Sequence, residues 1–187
     1  MKGGPAPVIE LIVKPFVDEQ VTIIKTFDGN EFRIHPSGMV SGQWDWIASS
    51  WVEKIEEVQI TLSGSLDEIV SYTVNLVFAE LKDAQKGDRV FDVYIQGTLV
   101  EEAFDVFHQA NGKNREIVKT YSGISVHDKL TVRFVPQDGC QWAPVINGMK
   151  GVEEIQVSGG GGGNGGFGQG GGCGFRRGAV GICGRHL

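Results

Sequence analysis

The stretch Arg89-Val90-Phe91-Asp92-Val93-Tyr94-Ile95-Gln96-Gly97 decides the fold of this chain. Within it, Phe91, Val93 and Ile95 occupy every second position, which is the period of a strand with one buried face. Gln96-Gly97-Thr98 separates this run from a second one, and a glycine such as Gly97 can adopt positive φ without a steric penalty. The sequence therefore predicts a β-hairpin from Phe91 to Phe104.

The same alternation recurs at Tyr72–Phe78, Val58–Leu62 and Leu130–Phe134. One or two helical turns fit only at Val52–Glu57 and Glu101–Ala110. The sequence predicts an all-β, antiparallel β-sandwich of the jelly-roll or galactose-binding-like type. The turns that separate the strands have the spacing of sandwiches and barrels, and they are Asp28-Gly29-Asn30, Lys86-Gly87-Asp88, Asn111-Gly112-Lys113 and Asp138-Gly139.

Composition limits the classes of function. The 187 residues, 41% of them apolar, suit one soluble domain with appendages. The net charge of −6, with scattered basic residues, argues against nucleic-acid binding. No apolar run reaches the ~18 residues of a membrane span, so we expect no membrane insertion. Three cysteines are an odd number and do not make a disulfide framework.

The chain divides into a domain at residues 1–157 and a tail at residues 158–187. The tail holds 15 of the 28 glycines and buries too little apolar surface to offset its ordering entropy. We interpret it as a low-complexity linker or terminal extension. Two other readings are weaker: a zinc site of Cys173, Cys183 and His186, whose spacing fits no structural zinc pattern, and an RNA contact at residues 175–178. No cofactor or metal is predicted.

Several strings between Tyr72 and Met149 resemble the malectin-like carbohydrate-binding family. They are Val77-Phe78-Ala79-Glu80, residues 89–97, Phe104-Asp105-Val106-Phe107, Val118-Lys119-Thr120-Tyr121, Leu130–Phe134 and Pro144–Met149. Upstream, Trp46–Ser50 and Ile55–Leu62 are similar to a bacterial variety found in larger, usually exported proteins. The resemblance implies a sandwich that binds a glycan. The family's tyrosine-rich "YQTERY" string is missing, so the resemblance does not carry over its sugar specificity.

Tryptophans are the first candidates for a sugar site, because aromatic faces stack on the apolar side of a pyranose ring. Trp44, Trp46 and Trp51 lie within eight residues, next to Gly38 and Gly42. We predict that they contact the ligand. The alternative is that one or two of them plug the end of the sandwich.

A second group lies in the loop at residues 136–142, which the resemblance relates to a family loop that supplies a ligand-contacting acid. Asp138 matches that acid, and its carboxylate can accept two sugar hydroxyls at once. Gln141 and Trp142 complete the predicted group. The alternative for Asp138-Gly139 is a plain turn.

No catalytic group is predicted. Glu80, Asp92 and Asp105 lie in strand and turn strings, where an Asp commonly accepts backbone N–H bonds, so we discount a glycosidase pair. His35, His108 and His127 have no partner at catalytic spacing.

The prediction is a non-catalytic carbohydrate-binding module for an oligo- or polysaccharide, extracellular or in the cell envelope if it belongs to an exported protein. The alternative is a structural or protein-interaction sandwich that docks other domains without binding sugar.

Overall fold

The computed structural model describes residues 8–12, 20–28, 32–34, 40–62 and 69–154. Outside them lie Gly29, Asn30, His35, Gly38 and residues 158–187, for which zinc and RNA contacts were the weaker alternatives. The described part contains two short helices and twelve strands: β1 (Val8–Ile12), β2 (Gln20–Thr26), β3 (Phe32–Ile34), α1 (Asp45–Ala48), β4 (Trp51–Glu53), β5 (Ile55–Leu62), β6 (Val70–Ala79), β7 (Val90–Ile95), β8 (Thr98–Asp105), α2 (Val106–Ala110), β9 (Glu116–Val126), β10 (Lys129–Pro136), β11 (Val145–Ile146) and β12 (Gly148–Glu153).

The strands form three sheets. A four-stranded sheet has the order β1-β12-β6-β9, a five-stranded sheet has the order β2-β5-β10-β7-β8, and a small sheet has the order β11-β4-β3. The described pairs are antiparallel, as the sequence predicts, except that β1 runs parallel to β12.

Four phenylalanines show how the two larger sheets pack. The ring centroid of Phe78, on β6, lies 4.8 Å from that of Phe104 and 6.1 Å from that of Phe91, both on the facing sheet. Phe134, on β10, completes the group at 6.5 Å. Phe78, Phe91 and Phe134 come from alternating runs whose apolar face is buried, and Phe104 is buried at the end of β8. The predicted all-β sandwich is confirmed.

The β7–β8 hairpin has the predicted position, with one feature that sequence reasoning missed. Both turn residues have positive φ, 49° at Gln96 and 79° at Gly97, which is the conformation that matches the twist of a two-residue hairpin. A glutamine is unusual there. Its side chain donates to the carbonyls of Ser125 and Lys129 and accepts from the N–H of Thr131, and these bonds hold the turn in place.

The two positions where helix was considered give different outcomes. Val52–Glu57 contains no helix, because its residues extend into β4 and β5. Glu101–Ala110 is half strand and half helix, since α2 starts where the Asp105 side chain accepts a bond from the N–H of His108. Helix α1 was not predicted, because four residues are too few to show a helical period. Within the described residues no helix has the length and hydrophobicity that a membrane span needs.

Candidate functional site

The six predicted site residues lie in four different settings. Trp46 is exposed on α1, Trp44 is half-buried immediately before it, and Trp51 is buried on β4. The other three lie in the connection between β10 and β11, where Asp138 and Gln141 are exposed and Trp142 is half-buried.

Trp51 does not have the role predicted for it. Its side chain is 0% exposed, whereas Trp46 is 57% exposed. The Cζ atom of Arg89 lies 4.8 Å from its ring centroid and Lys82 Nζ lies 5.8 Å away. A ring covered on all sides cannot stack on a sugar, so the alternative reading, a tryptophan that plugs the sandwich, is the correct one for this residue.

Arg89 is the centre of a buried charge cluster. It is completely buried together with Glu80, and Arg89 Nε donates to Glu80 at 2.8 Å. Glu53 accepts from Arg89 at 3.4 Å, and its two carboxylate oxygens accept from Lys82 Nζ at 2.7 and 2.8 Å. Paired charges with hydrogen bonds on both sides are the form in which buried ions are tolerated. We refer to Trp51, Glu53, Glu80, Lys82 and Arg89 as the Arg89 cluster.

The Arg89 cluster also supports the predicted sugar loop. Arg89 Cζ lies 5.2 Å and Lys82 Nζ 5.5 Å from the ring centroid of Trp142, distances typical of cation–π contacts. Arg89 donates to the carbonyl of Ala143, and the N–H of Trp142 donates to the carbonyl of Asp88 at 2.9 Å. Trp142 is therefore held by Lys82 and Arg89 at its ring and by Asp88 at its backbone, while part of its surface stays accessible.

Asp138 lies in a turn, where Gly139 has φ +81°. Gln137 anchors this turn, because its N–H donates to Val90 and its side chain donates to Asp92 at 2.7 Å. The Asp138 carboxylate itself makes no hydrogen bond with another described residue. The turn reading is therefore correct for the backbone, and it leaves the side chain free for a ligand.

The segment at residues 41–46, which we call the tryptophan segment, is held by Glu116. The Glu116 carboxylate accepts the N–H of Trp44 at 2.7 Å and also the N–H of Gln43. A Cβ at Gly42 would overlap the Glu116 side chain, so a larger residue there would displace that side chain. On the other side, Lys150 Nζ lies 5.7 Å from the Trp44 ring centroid. Trp44 is thus an anchored residue, and Trp46 is the exposed one.

A series of backbone contacts brings these loops to one end of the sandwich. The N–H of Ser41 donates to Asn114, and the N–H of Asn114 donates to Glu80. An ion pair of 2.6 Å joins Lys113 to Asp83. Among the described residues no hydrogen bond or ring contact joins Trp46 directly to Trp142. We call residues 41–46, 80–88, 111–115 and 137–144 together the end loops.

Three residues of the end loops were missed by sequence reasoning: Lys82, Asp83 and Lys113. They lie between the tryptophan segment and the Trp142 loop in the series of contacts. No periodicity marks them, because Lys82 and Asp83 follow the end of β6 and Lys113 lies between α2 and β9. The signal that could have found Lys82 is its position two residues after the Val77–Glu80 string, directly in the loop between two core strands.

The three carboxylates discounted as catalytic have scaffold roles. Asp105 accepts the N–H groups of Gly87 and His108, each within 2.9 Å. Asp92 accepts the N–H of Ala103 at 2.8 Å, and Glu80 accepts the N–H of Lys82 at 3.0 Å. The prediction that these groups accept backbone bonds is confirmed. No group of three or more His, Cys, Asp or Glu within the described residues is arranged to hold a metal.

Two tyrosines with displaced pKa values lie in strands rather than in the end loops. Burial raises the pKa of Tyr72 to about 12, with a smaller contribution from Glu153. Burial is the main reason that the pKa of Tyr121 is raised well above its usual value, and a 2.7 Å hydrogen bond to Glu101 raises it further. Both hydroxyls therefore stay protonated near neutral pH and serve the scaffold.

Comparison with known protein families identifies this scaffold. The model of the malectin domain matches residues 56–148. This chain belongs to the malectin family. The malectin domain is a non-catalytic, carbohydrate-binding type of module, in agreement with the scaffold roles of the carboxylates. The matched residues include Lys82, Asp138, Gln141 and Trp142, whereas Trp44 and Trp46 lie outside them.

Relatives of this malectin domain occur in plant receptor kinases. A probable leucine-rich repeat receptor-like serine/threonine-protein kinase of Arabidopsis thaliana is 34% identical over 95 residues, which is 48% of this chain and 8% of that protein. A nodulation receptor kinase of Pisum sativum is 31% identical over 96 residues, 51% of this chain and 10% of that protein. The chain thus spans a tenth or less of the length of these relatives.

Solved structures share the fold of the malectin domain at low sequence identity. The ANXUR2 extracellular domain from Arabidopsis thaliana superimposes with a TM-score of 0.58 at 12% identity, covering 72% of this chain and 41% of that one. A Bacteroides uniformis beta-glucuronidase gives 0.57 at 15% identity, covering 80% and 19%. These matches concern the fold alone.

Proposed function

We propose that this malectin domain binds an oligo- or polysaccharide at the end loops, with Trp46 and Trp142 as aromatic platforms and Asp138 and Gln141 as hydrogen-bonding groups. The observation that carries the proposal is the combination of accessible aromatic surface and an unpartnered carboxylate at one end of the sandwich. Sugar sites combine these two elements, because ring faces stack on aromatic rings while hydroxyls need acceptors.

Trp44 has a supporting role in this proposal, since one side of its ring faces Lys150 and its backbone is held by Glu116. Lys82 and Asp83 lie between the two platforms along the series of loop contacts. Lys82 is 38% exposed at its side chain, so it presents a donor toward the ligand as well as toward Glu53.

The relatives suggest where such a module works. They are receptor-like kinases, and the ANXUR2 match is described as an extracellular domain. We infer that this domain functions outside the cell as one part of a larger protein, where the other domains of the parent protein are additional partners.

Tryptophan fluorescence of the full chain, titrated with gluco- and galacto-oligosaccharides, tests the proposal. We expect a saturable shift with one sugar class, with an affinity on the order of micromolar to millimolar, as for single shallow sites. Trp46→Ala and Trp142→Ala should each weaken binding by about tenfold. Asp138→Asn keeps a residue that suits the turn and should weaken binding by a smaller factor.

Leu99→Ala is the matched control, because Leu99 is an exposed large apolar residue on β8, at 42% exposure. It should leave binding unchanged. If a broad glycan array gave no reproducible signal with the full chain, the sugar-binding proposal would be wrong and the scaffold or protein-docking alternative would replace it.

A further inference from the structure

A second concave surface lies where helix α2 meets two of the end loops, those at residues 80–88 and 111–115. It encloses about 200 Å³ and is lined by Lys86, Phe107, His108, Asn111 and Gly112. We refer to it as the α2 cleft, because Phe107 and His108 belong to α2 and the next residues cap that helix. None of these residues was selected from the sequence as a ligand contact.

The walls of the α2 cleft are held by one carboxylate. Asp105 accepts the N–H of Gly87, in the loop that carries Lys86, and the N–H of His108, at the start of α2. The far wall is fixed by the left-handed backbone of Asn111, with φ 55°, and by a bond from the N–H of Gly112 to the carbonyl of Phe107. The shape of the cleft is therefore set before any ligand arrives.

The side chains that line the α2 cleft have unused binding capacity. Lys86, His108 and Asn111 make no side-chain hydrogen bond or ion pair with another described residue. In contrast, five lysines elsewhere are each paired with a carboxylate, and they are Lys25, Lys54, Lys82, Lys113 and Lys119. The polar groups of the cleft are thus available as donors and acceptors toward a ligand.

Phe107 provides the apolar part of the cleft. Of the residues of α2, Val106 and Ala110 are the buried ones, and the ring of Phe107 remains half-exposed. An aromatic ring among free polar side chains has the chemistry of a sugar subsite. The volume is below the ~300–1,000 Å³ of sites for drug-sized ligands, which suits one ring rather than a chain.

We propose that the α2 cleft is a separate subsite for a single sugar ring, stacked on Phe107 and hydrogen-bonded by Lys86, His108 and Asn111. The choice of ligand class rests on the sugar-binding function proposed above. The location does not, since the cleft shares none of its lining residues with Trp46, Trp142, Asp138 or Gln141.

Two-dimensional ¹H–¹⁵N NMR of the full chain separates the two sites. Methyl β-glucopyranoside and methyl β-galactopyranoside serve as single-ring probes. We expect one of them to shift the backbone amides of His108 and Gly112 in a saturable way. Phe107→Ala should weaken this binding by about tenfold, and Asn111→Gly, which retains the left-handed backbone, should weaken it by a smaller factor.

The indole N–H signals of Trp46 and Trp142 report on the end loops in the same spectra. If the indoles respond and the His108 and Gly112 amides do not, the α2 cleft proposal is overturned and the end-loop proposal stands. If only the cleft amides respond, the end-loop proposal is overturned and the α2 cleft proposal stands. An unchanged affinity in both Phe107→Ala and Asn111→Gly, or no cleft response to either probe, also overturns the cleft. Leu99→Ala should behave as wild type.

Discussion

Trp46 and Trp51 are five positions apart in the chain and have opposite environments. Trp46 is 57% exposed on α1, and Trp51 is 0% exposed within the Arg89 cluster. Cations lie over the Trp51 ring, whereas no described cation or ring contacts Trp46. The difference shows that one residue type in one short segment supplies both a structural plug and a candidate platform, and that burial decides which residue has which role.

Replacing each tryptophan by alanine gives the largest expected contrast. Trp51→Ala should lower the free energy of unfolding by about 3–5 kcal/mol, because it leaves a large cavity in the core. Trp46→Ala should change it by less than about 0.5 kcal/mol, because its ring is mostly in water. Urea unfolding of the two variants measures both values. Similar losses in the two variants would contradict the contrast.

Replacing Arg89, the central cation of the Arg89 cluster, tests the same cluster through its charges rather than through the Trp51 ring. Arg89→Met should destabilise the fold by about 3 kcal/mol, because it leaves the buried Glu80 carboxylate without its partner. Adding Glu80→Gln to Arg89→Met should restore most of that loss by removing the unpaired charge. Chemical unfolding gives the values.

Arg133→Ala is the matched control for the Arg89 prediction. Arg133 is exposed on β10, and its Cζ atom lies 4.7 Å from the ring centroid of Tyr94. Its removal leaves no buried carboxylate without a partner among the described residues. Its loss should cost at most about 1 kcal/mol. If Arg89→Met cost no more than this control, the Arg89 cluster would not hold the fold.

The tryptophan segment is expected to respond to changes in its anchor. Gly42→Ala should destabilise by about 1–3 kcal/mol, because the new methyl group displaces the Glu116 side chain and breaks its bonds to Gln43 and Trp44. In a Glu116→Ala background the same substitution should cost little, since the obstruction is gone. A double-mutant cycle by thermal or urea unfolding measures this coupling, and additive effects would refute it.

The smallest expected effect concerns Glu154, a half-buried carboxylate that is compared with the fully buried Glu80. Glu154 accepts from the hydroxyls of Ser71 and Thr73 and from the N–H of Gly123. These bonds, with Ser71 the largest contributor, hold its pKa below the ordinary glutamate value.

Because the folded-state pKa of Glu154 is depressed, its contribution to stability is fully present above the ordinary glutamate pKa. It is lost as the pH falls through the lowered value. Unfolding curves across this acidic range should therefore show a shallower pH dependence for Glu154→Gln than for wild type. Parallel curves for the two proteins would show that the carboxylate contributes nothing.

Sequence reasoning predicted the sandwich well and the site only in part. Alternation at Tyr72–Phe78 and Phe91–Ile95 has a direct physical cause, since one face of each strand is buried, and so it was readable. Lys82 and Glu116 were not readable, because their roles come from contacts with residues 29 and 72–73 positions away. The local sequence pattern does not indicate contacts with residues so far away in the chain.

The sequence by itself determined the strands, the hairpin at Gln96-Gly97, the malectin resemblance and the set of tryptophans from which a site can be built. Only the tertiary structure decided that Trp51 is sealed beside Arg89, that Trp46 and Trp142 remain accessible, and that Phe107 lines a cleft of its own. The physical reason is that periodicity encodes which face of a strand is buried, whereas the accessibility of a loop side chain depends on what distant segments place over it.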